Sequence, residues 1–261
     1  MPKLSTSAFA STHHIAAVLL ALACIPYIFW SAGNMMAGIA DFKARAFIEA
    51  WEHQTQQSSL QNIEFIPTAT DLATAQSYAR KAVRTSPQNA GFYQTLGDAL
   101  YWNLKNRARK TGKEPQNEEI FDAYRQAIKL RPTYPDYHLR LARAKIMSGV
   151  YDQELTLALQ NSHRYGPWKP NIMYETVDLG MWSWPHLAPE ARKTVTDVIE
   201  QSQRWQLDNK MNIRNSVGIW NLIVAYERKA EICPLLSRDN ARNAKFCRFA
   251  IKKPDSKPGH T

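Results

Sequence analysis

Two copies of one helical pattern, each closed by a proline, constrain the fold of this chain more than any other feature. The copies are Ala75-x3-Ala79-x2-Ala82-x4-Pro87 and Ile120-x3-Tyr124-x2-Ala127-x4-Pro132. Residues spaced by three and four positions lie on one face of an α-helix. Proline ends a helix because it cannot donate the next backbone hydrogen bond. A short polar turn and a further helical pattern follow each proline, so the sequence predicts consecutive helix pairs.

Small residues recur in these helices where two backbones would cross. The helical patterns that follow the prolines are Tyr93-x2-Leu96-Gly97-x2-Leu100 and His138-x2-Leu141-Ala142. Gly97 and Ala142 would let neighbouring backbones approach closely, while the leucines fill the space between helical turns. We therefore predict an all-α protein of packed helical hairpins.

This pattern resembles the tetratricopeptide (TPR) repeat, which reads W-x2-L-G-x2-Y, then A-x3-F-x2-A and a closing proline. Tyr93 stands where the family usually has Trp, and Leu100 where it usually has Tyr. Pro87 and Pro132 lie 45 residues apart instead of about 34, which an insertion in 105–116 would explain. The resemblance implies an α-solenoid with a concave face.

Such a face usually takes its lining from the first helix of each pair. The resemblance therefore implies five partner-binding residues, which are Tyr93, Gln94, Asn103, His138 and Lys145.

An uncharged run precedes the repeats and extends from Ile15 to Ala40. About 20 apolar residues are enough to span a bilayer as a helix, so we predict a single-pass transmembrane anchor. A cleaved signal peptide, a lipoprotein signal ending at Cys24 and a buried core helix are the alternatives. The run is long for a signal peptide, and the absence of a polar face disfavours a core helix.

Composition divides the chain into five segments. We predict a tail and anchor in 1–40, a juxtamembrane helix and linker in 41–66, TPR-like repeats in 67–166, Trp-rich helices in 167–232 and a basic tail in 233–261. The juxtamembrane helix is expected to carry its apolar stripe on Phe42, Ala46, Phe47 and Ala50.

Tryptophans are concentrated after the repeats, where Trp168, Trp182, Trp184 and Trp205 lie within 38 residues. We expect them to pack between helices, because aromatic side chains dominate helical cores. The alternative is that Trp168, Trp182 and Trp184 stack on sugar rings, since indole packs well on the apolar faces of pyranoses.

The chain carries 33 Lys and Arg against 23 Asp and Glu, a net charge of +10. This excess favours acidic partners, and it is conspicuous in 105–113 and near the C-terminus. Cys233 and Cys247 are fourteen residues apart. They would form one disulfide in an oxidising compartment, or else remain two unrelated buried thiols.

Two short elements carry a second resemblance. They are Gly166-Pro-Trp-x-Pro170 and Trp184-x2-Leu187-x4-Arg192. Together with the anchor, the TPR-like body and the late cysteine, they resemble VpsP-type proteins of bacterial exopolysaccharide biosynthesis. This resemblance implies an accessory role in making or exporting a polysaccharide. It also implies protein partners from that machinery. A short tail before a large C-terminal domain is typical of a signal anchor and, with the cysteine pair, favours an inner-membrane anchor with a periplasmic domain, whereas Lys43 and Arg45 after the apolar run favour a cytoplasmic domain.

No catalytic motif is present in the sequence. We find no G-x-S-x-G, no Gly-rich phosphate loop, no H-E-x-x-H and no His/Cys spacing typical of zinc sites. We therefore predict a non-catalytic binding protein without metal or cofactor, and we expect no nucleic-acid partner. The alternative is direct binding of an anionic polysaccharide or anionic lipid through the basic segments.

Overall fold

The computed structural model describes residues 6–60, 65–111, 118–208, 213–237 and 241–248. Over these residues the protein is all-helical and contains no β-strand, which confirms the predicted class. The helices are α1 (Thr6–Leu60), α2 (Ala69–Thr85), α3 (Ala90–Thr111), α4 (Glu118–Leu130), α5 (Pro135–Met147), α6 (Gln153–Tyr165), α7 (Pro170–Ser183), α8 (Pro189–Asp208), α9 (Ile213–Ala225), α10 (Lys229–Ile232) and α11 (Ala241–Arg248). Short 3-10 turns follow α7 and α10, at Trp184–His186 and Cys233–Leu235.

Proline and polar caps set several helix boundaries. Pro135, Pro170 and Pro189 occupy the first position of α5, α7 and α8, where the missing N–H has no helical partner to lose. The Thr68 side chain caps α2 by accepting a hydrogen bond of 3.1 Å from the Asp71 backbone N–H. The helix ends predicted near Pro87 and Pro132 are confirmed, because α2 and α4 end just before these residues.

Successive helices pack against one another in antiparallel pairs. Ala82, near the end of α2, packs against Ala37 and Ala40 of α1. Phe92, at the start of α3, lies in the same cluster as Ala37, and Trp102 further along α3 contacts Trp51 with ring centroids 5.6 Å apart, so α3 runs parallel to α1. The odd-numbered helices α1, α3, α5 and α7 share this direction, and the even-numbered helices α2, α4, α6 and α8 run against it.

Helix α1 is one continuous helix that runs through the predicted boundary at residue 40. Its side chains against α2 and α3 recur every three or four residues and are Ala37, Ala40, Ala44, Ile48 and Trp51. Of the predicted stripe of Phe42, Ala46, Phe47 and Ala50, Phe47 packs against the core. The prediction is wrong for the other three, because Phe42 is 70% exposed and both alanines are exposed. Ala46 and Ala50 lie on another face of the helix, two positions away from Ala44 and Ile48, so a small side chain does not by itself identify the contact.

The N-terminal part of α1 is the candidate membrane span. The stretch Leu22–Ser58 contains a window that is long and apolar enough to cross a bilayer by length and composition. Charged residues occur from Asp41 onward, so the apolar part precedes that residue. Every side chain from 22 to 30 is exposed, with Phe29 at 74% and Trp30 at 65%. This part of α1 therefore projects from the bundle.

The C-terminal segment folds back onto the bundle. Cys233 and Cys247 form a disulfide with their Cα atoms 5.7 Å apart. Phe246 of α11 stacks on Trp220 of α9 with a centroid separation of 4.0 Å. The prediction of a tail beginning at residue 233 is therefore wrong for α11, which packs against the core. The rest of the predicted tail, 249–261, lies outside the described residues.

Candidate binding groove

A groove of about 690 Å³ crosses the face that α1, α3, α5 and α7 form together. Its charged lining residues are Glu49 and Glu52 of α1, Asp98 and Lys105 of α3, Arg140 and Arg143 of α5, and Glu175 and Asp178 of α7. These described side chains comprise five carboxylates and three cations. The groove is thus acidic, although the whole chain carries a net charge of +10.

Asp98 forms the floor of the groove and is bound from two sides. It accepts a hydrogen bond of 2.8 Å from the Tyr124 hydroxyl and one of 2.6 Å from Arg140. Tyr124 is buried, and its pKa is raised well above the usual value by that burial and by the neighbouring Asp98 carboxylate. It therefore remains a neutral donor, which holds Asp98 in position.

The lack of a side chain at Gly97 of α3 makes room for the Tyr124 ring of α4. A Cβ atom at Gly97 would lie 2.5 Å from the Tyr124 ring, so only glycine fits against that ring without displacement. The Gly97 position, which the TPR-like pattern singles out, thus leaves room for the Tyr124 ring, whose hydroxyl binds the neighbouring Asp98.

A second ion pair crosses the groove between α5 and α7. Arg143 pairs with Glu175, and its guanidinium lies 6.0 Å from the ring centroid of Tyr101. With Asp98 paired to Arg140 and Glu175 to Arg143, the remaining carboxylates of the groove are Glu49 and Glu52 on α1 and Asp178 on α7, which accepts a hydrogen bond from Tyr226. Both glutamates are exposed, and both lie on the α1 wall. This wall is suited to a positively charged group.

Two of the predicted partner-binding residues lie in the interior instead. His138 is 5% exposed, and its Nε2 lies 2.7 Å from the Pro132 carbonyl oxygen. Lys145 is 1% exposed and pairs with Asp152 and Glu154 at 2.6 and 2.7 Å. These two predictions are wrong, because both side chains hold neighbouring segments of the bundle together.

The other three predicted residues are half-buried and do not line the groove. Tyr93 packs with Ala127 and Tyr137, while the Gln94 amide lies 3.4 Å from Asp98 at the edge of the groove. Asn103 lies beside the lining residues of α3.

The five residues implied by the resemblance belong to α3 and α5, two of the helices that form the groove, but none of the five lines it. The sequence contains a signal for this groove, because on α3, α5 and α7 the charged lining residues form pairs three or seven positions apart, a spacing that places both on one helix face. These pairs are Asp98 and Lys105, Arg140 and Arg143, and Glu175 and Asp178.

The tryptophans separate into buried and exposed positions. Trp184 is 2% exposed and Trp182 packs against the core, so stacking on sugars is wrong for Trp184. Arg192 donates hydrogen bonds of 3.1 Å to the Trp184 and Pro185 carbonyls and covers the Trp184 indole. The Trp184-to-Arg192 element therefore stabilises the connection between α7 and α8. Trp168 is 54% exposed.

Metal binding has no geometric support in the part of the chain that the structure describes. No group of three or more His, Cys, Asp or Glu side chains there is arranged to hold a metal ion. The predicted basic loop 105–113 lies mostly outside the residues whose side chains are described, and its first residue, Lys105, lines the groove.

Comparison with protein-family models gives no match for this chain, and comparison with curated proteins gives none either. The TPR-like and VpsP-type resemblances therefore stay predictions, which depend on the residues quoted for them.

Proposed function

We propose that this protein is a non-catalytic, membrane-anchored scaffold of TPR-like hairpins that binds an extended segment of a protein partner. The observation that carries the proposal is the charged groove to which α1, α3, α5 and α7 all contribute. Stacked helical hairpins commonly bind partners on an extended concave surface of this kind.

The charges of the groove specify the partner. Arg140 and Arg143 are already engaged by Asp98 and Glu175, so they do not attract a strongly acidic ligand. Glu49 and Glu52 face solvent on the α1 wall. A partner segment with Lys or Arg opposite these two carboxylates would complement the groove.

The biological setting follows from the VpsP-type resemblance. We propose that the protein is an accessory factor in bacterial exopolysaccharide biosynthesis or export, anchored in the inner membrane with its domain in the periplasm. The disulfide between Cys233 and Cys247 supports an oxidising compartment, where such bonds persist.

Site-specific photo-crosslinking in the producing cell tests the groove. A photoreactive phenylalanine replaces Tyr101, inside the groove, or Tyr151, an aromatic residue outside it that is 37% exposed. We expect a crosslinked partner from position 101 alone, and we expect Glu49→Lys with Glu52→Lys to abolish that crosslink. Reversing the charge of the contacting residue on the partner should then restore it.

Equal crosslinking from both positions contradicts the groove proposal. So does a crosslink at position 101 that persists unchanged after the charge reversal.

Direct binding of an anionic polymer is the alternative, through 105–113 and the basic C-terminus. The acidic groove does not favour it. Two results together would favour this alternative over a peptide-binding groove. The affinity for a polyanion would fall steeply with rising salt, and it would persist in the variant with Glu49→Lys and Glu52→Lys.

A further inference from the structure

Three turns of the bundle lie at the end from which the apolar part of α1 projects. They are 86–89, 131–134 and 166–169, which join α2 to α3, α4 to α5 and α6 to α7. A Cβ atom at Gly33 of α1 would lie 4.0 Å from the Thr85 side chain at the end of α2. A Cβ atom at Gly166 would contact the Pro135 ring at 2.8 Å, so the second and third turns also lie side by side.

This end of the bundle is strongly basic. The three turns and one helical turn on either side of each comprise residues 82–93, 127–138 and 162–173, all of which the structure describes. Their charged residues are Arg84, Lys129, Arg131, Arg164 and Lys169 against Asp136. Counted in the same way over its described residues, the opposite end is mixed, with the acids Asp71, Glu118, Glu119, Asp152, Glu154 and Glu190 and the cations Arg109, Lys110, Lys145 and Arg192.

Two of these cations are held around an aromatic ring. The Arg131 guanidinium lies 5.0 Å and the Lys169 amine 4.9 Å from the ring centroid of Tyr134. Trp168, next to Lys169, is 54% exposed. Exposed Trp beside Lys and Arg is typical of the boundary between a bilayer and water.

Helix dipoles account for only part of this pattern. Arg84, Lys129 and Arg164 stand in the last turns of α2, α4 and α6, where a cation is favourable. Arg131 and Lys169 instead precede the N-termini of α5 and α7, where a positive charge is unfavourable. Asp136 offsets this penalty for Lys169, with which it pairs at 3.2 Å. An anionic surface facing Arg131 would remove the penalty that remains.

We propose that this basic end rests on an anionic lipid surface, with Arg131 and Lys169 at the phosphate groups and Trp168 in the interface. The inference goes beyond the proposed groove function and rests on α1 crossing the membrane. At 1.5 Å per residue, Glu52 lies about 22 Å further along α1 than Ala37, which packs near the basic end. The contact would thus hold the groove at a fixed height above the bilayer.

Spin labels on the full-length protein test this contact in lipid nanodiscs. The discs contain phosphatidylcholine alone, or phosphatidylcholine with one third phosphatidylglycerol. Cys24→Ser removes the free thiol. Labels are then attached through Thr133→Cys at the basic end, Gln153→Cys at the opposite end, or Phe29→Cys in the apolar part of α1.

We expect the label at 133 to become protected from a water-soluble nickel chelate in the anionic discs, while the label at 153 stays accessible. Arg131→Gln with Lys169→Gln should remove this protection. Each lost cation should lower the equilibrium constant for contact between the basic end and the lipid by on the order of fivefold. Lys193→Gln, which removes an exposed cation of α8, should leave it unchanged. Melting curves of the variants establish that each one is folded.

Equal protection at 133 in neutral and anionic discs overturns the proposal, as does protection that survives loss of both cations. If the label at 29 lies in lipid while that at 133 stays exposed, the lipid contact alone is wrong. If the label at 29 is exposed to water, the anchor and the contact both fail. Crosslinking at position 101 reports on the groove independently in every case.

Discussion

The Tyr124 hydroxyl of α4 donates a hydrogen bond of 2.8 Å to Asp98 of α3, and this bond joins the packing of a helix pair to the floor of the groove. The ring of Tyr124 packs against Gly97, while its hydroxyl fixes a carboxylate that Arg140 also binds. A substitution that displaces the Tyr124 ring in the core is therefore expected to displace the Asp98 carboxylate in the groove as well.

Gly97→Ala should destabilise the fold by about 1–3 kcal/mol, because the added Cβ would lie 2.5 Å from the Tyr124 ring. Thermal unfolding of the full chain in detergent, followed by circular dichroism, measures the effect. Gly38→Ala is the control, since a Cβ atom there meets nothing within 4 Å. It should be neutral or slightly stabilising, and equal effects of the two changes would contradict the steric argument.

Tyr124→Phe should cost about 1–2 kcal/mol, because it keeps the ring but removes a hydrogen bond to the buried Asp98 carboxylate. Combined with Gly97→Ala, its effect should be less than additive, since displacing the ring already weakens the bond. A double-mutant cycle on the two changes measures this coupling. Full additivity would show that the ring position and the hydrogen bond are independent.

Glu154→Gln should destabilise the protein by about 2–3 kcal/mol at neutral pH. Glu154 accepts two hydrogen bonds of 2.7 Å from Arg125 and pairs with the buried Lys145. Asp122→Asn is the matched control, because it removes another carboxylate partner of Arg125 that is 62% exposed. A surface pair of that kind contributes less than about 1 kcal/mol.

The cost of Glu154→Gln should also depend on pH. The hydrogen bonds from Arg125, followed by the charge of Lys145, lower the pKa of Glu154 from 4.5 to about 2. Since the folded-state pKa is the lower one, the stabilisation by ionised Glu154 is complete above about pH 4.5 and is lost as the pH falls towards 2. A difference in unfolding free energy between wild type and variant that stays constant over this range would contradict the assignment.

Cys233→Ser with Cys247→Ser should destabilise the C-terminal segment by about 3 kcal/mol, the chain-entropy value for a loop of this size. Hydrogen–deuterium exchange should speed up in α11, whose Phe246 stacks on Trp220. Exchange in α5 should remain slow. Unchanged protection of α11 would show that packing alone holds this helix in place.

The helices and their pairing were predictable because their signals are local. Pro87 and Pro132 end helices for a covalent reason, and the alanine and glycine spacing identifies surfaces where backbones approach. Gly97 was recognised as a packing residue on this basis, and its contact with Tyr124 agrees. The stripe on α1 was not predictable in this way, because more than one face of this segment carries apolar residues at helical spacing and spacing alone does not decide which face is buried.

The sequence by itself determined the helix classes, the close contact at Gly97, the apolar start of α1 and the cysteines available for pairing. Only the tertiary structure decided which side chains meet. Asp98 and Arg140 are 42 residues apart along the chain, and Arg143 and Glu175 belong to different hairpins. The same packing turned His138 and Lys145 inward and brought three basic turns together beside α1. The physical reason is that helix periodicity specifies which residues share a face, while packing between distant helices decides whether that face is buried, lines a groove or meets another surface.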